Sequence, residues 1–228
     1  MEHFEYVEPV VDLLYNDDTN TSTIDNVMLI SDSVSAHQIF VDSANANTFP
    51  IVYSYYSDSS NLLQLLLTKF THIQRISFVF HDPLNQPKTF LGEKPFFTDD
   101  DLILGQTTFS DNVTFLQNLI SQFTVSNIEF LSCNSLLYDN WKTYYQLITD
   151  TTTVIVGASD NLSGNIKYGA DWVMENTNED IKNIYFNDNI SNFSGYLATF
   201  SVGVFNYDTG TSSTNATVIG YDSSSIAD

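Results

Sequence analysis

The chain alternates short, mostly apolar runs with longer stretches whose apolar residues recur at helical spacing, and this constrains its fold most. The runs are Val27–Ile30, Pro50–Tyr53, Ile76–Phe80, Ile128–Leu131 and Thr153–Gly157. A strand with apolar residues on both faces offers nothing to water, so it belongs in a parallel sheet covered on both sides. Ser57-Asp58-Ser59-Ser60 is a capping cluster before the apolar helix that carries Leu62, Leu66 and Phe70. Val113 to Phe123 and Trp141 to Ile148 mark two more helices, and Asp32 or Ser33 caps a shorter one that runs to about Ala44. The predicted fold is α/β, three-layered, with a mostly parallel Rossmann-like sheet between helices.

Three segments follow from this texture. Residues 1–25 read as a polar arm, 26–199 as the α/β domain, and 200–228 as a Ser-, Thr- and Asn-rich tail. In that tail Val202–Phe205 and Ala216–Ile219 are candidate strands of a β-rich extension, while Ile166–Tyr168 and Trp172–Met174 read as short β pieces. The segment Pro83–Thr98, with three prolines and a glycine, reads as a loop or small β excursion.

Charge removes several classes of partner. Seven Lys and Arg stand against 28 Asp and Glu, a net charge of −21. Phosphate backbones and anionic membrane surfaces need the basic residues this chain lacks, so no nucleic acid is expected. Divalent ions, basic peptides and basic protein faces stay open. No run approaches the roughly 20 apolar residues of a membrane helix, so no membrane insertion is expected. The opening Met1-Glu2-His3-Phe4-Glu5 has acids where a signal peptide has bases. The single cysteine, Cys133, excludes an internal disulfide and a multi-thiolate zinc site.

One constellation carries chemistry. Two apolar strands end in reactive residues, Phe78-Val79-Phe80-His81 and Phe130-Leu131-Ser132-Cys133. Functional groups of an open parallel sheet gather beyond the carboxyl ends of its strands. The two residues lie about 50 positions apart, room for a loop, a helix and a strand that return to the same rim, and a separation seen in caspase-type dyads. A neighbouring imidazole is what a thiol needs to become a nucleophile at neutral pH.

Several motifs occur together in order: Val27-Met-Leu-Ile-Ser-Asp-Ser-Val34, Ile76-Ser-Phe-Val-Phe-His81, Phe90-Leu-Gly92, Ile128-Glu-Phe-Leu-Ser-Cys-Asn134, Ala158-Ser-Asp-Asn-Leu-Ser-Gly164, Gly169-Ala-Asp-Trp172 and Phe193-Ser-Gly-Tyr-Leu197. From about Val27 to Leu197 the chain resembles a caspase-like domain family of unknown function, with the fold of clan CD cysteine peptidases. That family often stands at the N-terminus of large bacterial repeat-bearing surface proteins. The resemblance implies His81 as base and Cys133 as nucleophile, with the backbone N–H groups of Asp82 and Cys133 as oxyanion donors. It also implies an extracellular, cell-surface or particle-associated setting. The chain departs from the pattern at Asp82, where the family has glycine. A carboxylate there raises the energy of a developing oxyanion, and Pro83 biases its backbone.

Two functions are therefore expected. The first is a non-catalytic module for structure, assembly or surface display, with a protein partner or self-association. The second is a cysteine endopeptidase, self-processing or acting on basic peptides, with Asp160 in the substrate pocket. Asp99, Asp100 and Asp101 form a weak calcium candidate without the alternation of a calcium loop, and no other cofactor is expected.

Overall fold

A computed structural model describes residues 13–198. Its main elements in chain order are β1 (Leu13–Leu14), β2 (Asn26–Ser31), α1 (His37–Ser43), β3 (Thr48–Tyr53), α2 (Ser59–Lys69) and β4 (Arg75–Val79), then α3 (Asp111–Phe123), β5 (Asn127–Leu131), α4 (Asp139–Thr152) and β6 (Ile155–Ala158). A small hairpin, β7 (Val173–Met174) and β8 (Glu179–Asp180), and a short helix α5 (Lys182–Tyr185) follow. The six-stranded sheet runs β1-β3-β2-β4-β5-β6, parallel except at β1.

Every predicted apolar run is a strand of this sheet, and the pleat sends successive side chains to opposite faces. Leu29, Ile51, Phe78 and Phe130 join a cluster with Leu66 of α2, Leu116 of α3 and Trp141 of α4. Met28, Ile30, Val52, Val79 and Leu131 join a second cluster with Phe40 of α1 and Tyr185 of α5. The mostly parallel α/β architecture read from the sequence is present.

Local differences have local causes. Asp58 caps α2 as expected, its carboxylate accepting from the N–H groups of Ser60 and Asn61. Asp32 and Ser33 do not cap α1: the helix begins at His37 after Ala36, with no side-chain cap, and Ser33 instead shares a 2.7 Å hydrogen bond with Ser31. Leu13–Leu14, read as part of the arm, adds an antiparallel edge strand along Val52 and Tyr53. Ile166–Tyr168 is a single 3₁₀ turn, started by the Asn165 side chain accepting from Lys167 N–H. Trp172–Met174 does enter a β hairpin, through Val173 and Met174. Between β4 and α3 a loop is anchored from within, as Phe90 and Phe96 stack at 4.5 Å and the Asn112 amide donates to three of its carbonyls. The candidate strands beyond Phe200 lie outside the described residues.

Two polar devices complete the frame. At the β6 edge, the Asn176 side chain donates to Val156 O and accepts from Ala158 N–H, doing for that edge what a neighbouring strand would do. In the sheet, Glu129 of β5 is 1% exposed and ion-paired with Arg75 of β4, which also grips Glu179 with two nitrogens, while the Tyr185 hydroxyl donates to the second Glu129 oxygen.

Candidate functional site at the carboxyl rim

Strands β4 and β5 are parallel neighbours, with Val79 opposite Leu131, and Phe80 N–H donates to Leu131 O beyond the last ladder pair. His81 and Cys133 therefore leave adjacent strand ends on the same rim, as their spacing predicts. Their side chains then part company. Cys133 keeps the face of Leu131 and is fully buried in the second cluster. Its sulfur accepts from Ser163 N–H at 3.3 Å and donates to Ser163 O at 3.7 Å. Burial pushes the thiol up to about 12, with the Asp82 carboxylate adding to the effect against neighbouring backbone N–H groups.

His81 instead lines an open cavity of about 330 Å³ with Asp32, Tyr53, Tyr55 and Lys88, and Cys133 is not part of that lining. Burial pulls the imidazole below its ordinary value, and the Lys88 ammonium adds to this. His81 Nδ1 is buried without a hydrogen-bond partner.

A short strap closes the rim above the sulfur. Leu197 N–H donates to Ser163 O at 2.9 Å, Asn165 N–H donates to Gly195 O at 3.0 Å, and Gly164 and Tyr196 form an antiparallel bridge. Gly164 has to be glycine: a Cβ would fall 2.6 Å from Tyr196 Cα and 2.7 Å from Gly195 O, which real side chains do not tolerate. The strap ends on the expected oxyanion donor. Asp82 N–H donates to the Leu197 carbonyl at 2.8 Å, so the donor expected for substrate is already engaged.

The Asp82 side chain has its own task. It is nearly buried and accepts from the Asn134 amide at 2.8 Å, the Tyr138 hydroxyl at 3.0 Å and Leu84 N–H at 2.9 Å. The last of these holds a left-handed Leu84, at φ 53°, a conformation leucine rarely adopts. Asp82→Gly is therefore expected to cost about 2–3 kcal/mol, because three donors lose their acceptor. A lowered urea midpoint checks it; an unchanged midpoint would show that the carboxylate is dispensable.

The remaining candidates do not converge on this rim. Asp160 is exposed after β6, where its N–H donates to Glu175, and it does not line the cavity beside His81. Asp99, Asp100 and Asp101 make no common cage. The Asp101 carboxylate is occupied by Thr98 N–H, Thr98 Oγ1 and Ser110 N–H, and those bonds hold it below its usual value against burial. Among the described residues no group of three or more His, Cys, Asp or Glu side chains gathers to hold a metal ion.

Sequence reasoning did not place Tyr53, Tyr55 and Lys88 beside His81: Tyr53 ends the run Pro50–Tyr53, Tyr55 follows it, and Lys88 lies in the loop after β4, where no local pattern signals it. Among the described residues no helix is long and apolar enough to cross a membrane.

The fold and rim define a parallel α/β domain with a histidine and a cysteine on neighbouring strand ends. The model of the family described as "Domain of unknown function (DUF4347)" matches residues 27–197, and the chain belongs to that family. No curated protein matches the chain, and no solved structure does.

Proposed function

We propose that this domain is a non-catalytic, caspase-like module with a structural, assembly or surface-display role, outside the cell or on a particle surface. The observation that carries this reading is the sealed thiol: a sulfur bonded to Ser163 and pushed up to about 12 by burial is not a nucleophile at neutral pH. The engaged Asp82 N–H supports it independently. A net charge of −21 favours a basic protein face as partner, or self-association with counter-ions between copies.

A second reading is favoured by one contact. The Leu197 carbonyl sits on the N–H that a cysteine endopeptidase of this type would offer its substrate, so the strap stands in a substrate's place. On that reading the domain is a latent enzyme using His81 and Cys133. A thiol-reactive probe separates the two once the strap is lifted by Gly164→Ala. Labelling of that variant unchanged by His81→Ala is expected for the module; rapid labelling abolished by His81→Ala would establish the latent enzyme.

A further inference from the structure

We propose that the cavity beside His81 binds a small zwitterionic carboxylate of the free amino-acid kind, its carboxylate directed to Lys88 and its ammonium to Asp32. This stands whether or not Cys133 reacts. The cavity lies at the carboxyl ends of β2, β3 and β4, and the sheet order reverses between β2 and β4. Ligands of open α/β sheets settle at such reversals, where diverging connections leave a crevice. Its volume of about 330 Å³ is at the lower end for small-molecule sites and holds an amino acid rather than a large cofactor.

The lining prescribes the chemistry. The Tyr53 hydroxyl is buried with Ser31 as its polar neighbour, whereas His81 Nδ1 is buried without a hydrogen-bond partner. An unsatisfied ring nitrogen on the cavity is a deficit that a polar ligand relieves. Lys88 is half-buried, and its ammonium makes no ion pair within 4.0 Å among the described residues, the Asp82 carboxylate acting on it only from further off. Four of the seven basic residues are paired with carboxylates, so an unpaired, partly desolvated one is conspicuous in so acidic a chain. Among the described residues the Lys88 ammonium is the one cationic donor of the lining, which calls for a carboxylate. Asp32 supplies the opposite sign. A bare anion is repelled by a net charge of −21, whereas a zwitterion is not and satisfies both charges. Beside Ser31, Ser33 and Thr89, the rings of Tyr55, Phe80 and Phe90 add aromatic surface to the lining, which favours an apolar or aromatic side chain.

Calorimetric titration of the full chain with each of the common L-amino acids, to about 10 mM, tests this. Saturable binding of an apolar or aromatic member such as L-phenylalanine is expected. Phenylpropanoate, which lacks the ammonium, and phenethylamine, which lacks the carboxylate, should each bind about tenfold more weakly. Lys88→Ala and Asp32→Asn should each weaken L-phenylalanine by about tenfold with unchanged melting temperature, since neither side chain holds the fold together. Absence of saturable binding for every amino acid would overturn the proposal. So would phenylpropanoate binding as well as L-phenylalanine, or both variants binding like the parent.

Discussion

Arg75→Met is expected to lower the stability of the domain by about 3–5 kcal/mol, the usual cost of leaving one partner of a buried ion pair behind. Glu129 lies mid-strand in β5 with almost no exposure, and Arg75 Nη2 reaches it at 2.5 Å. Arg75 keeps its charge despite burial because the Glu179 and Glu129 carboxylates together outweigh the desolvation. Without it, Glu129 retains only the Tyr185 hydroxyl, and Glu179 loses a two-point grip. Gly157, beside Glu129 in the ladder, makes room for the Glu129 stem: a Cβ there would lie 3.2 Å from Glu129 Cγ and 3.1 Å from Met174 Cγ.

The loss should depend on pH in a direction that identifies its cause. Burial raises the Glu129 carboxyl above its ordinary value, and Arg75 is the main influence opposing that rise. Deleting Arg75 raises it further. A carboxyl raised in the folded state costs nothing below its unfolded value, about 4.3, where both states are protonated. The cost then grows as pH climbs towards the folded value. The deficit of Arg75→Met should accordingly be smallest near pH 4 and largest near pH 8, and Arg75→Met with Glu129→Leu should recover much of it. Urea unfolding at both pH values reads this directly; a pH-independent deficit would assign the loss to packing alone.

That network also marks the limit of what the chain discloses before folding. Runs of four or five residues that are apolar on both faces announce a parallel sheet, because backbone geometry sends successive side chains to opposite faces and both are then covered, and the spacing of His81 and Cys133 announces neighbouring strand ends. Arg75 and Glu129 carry no such periodicity. They meet because β4 and β5 run side by side, and Glu179 and Tyr185 reach them only through the hairpin and the short helix that follow β6. The strap is hidden for the same reason. Phe193–Leu197 looks like an ordinary closing motif, and only its folded path shows Leu197 O on Asp82 N–H and Leu197 N–H on Ser163. Asp82 stands out in the sequence only as the acid after the strand-end His81; that its carboxylate gathers Asn134, Tyr138 and Leu84 is not legible there, since two of those partners lie on the far side of β5 in sequence.

Native Cys133 is expected to react with a thiol probe at least about a thousandfold more slowly than the same cysteine in urea. The factor has two sources. A thiol moved from 9.0 to about 12 presents a thousandth of the thiolate at any pH below 9, and full burial adds the need for local opening. The same displacement makes a stability statement. An acid whose folded value is raised by burial costs nothing below its unfolded value and a growing amount above it, so about 4 kcal/mol should be lost as pH rises from 9 towards 12. Cys133→Ser should not share that alkaline loss, because a serine hydroxyl does not titrate there. Gly164→Ala supplies the mechanical half of the test. Its Cβ would strike the backbone of Tyr196 and Gly195, so the strap must lift. Labelling should then accelerate by about tenfold or more, for about 1–3 kcal/mol of lost stability, while far-ultraviolet circular dichroism stays that of the parent. If the strap is what holds a working dyad idle, that acceleration will vanish on adding His81→Ala; if the thiol is only a packed core group, His81→Ala will leave it unchanged.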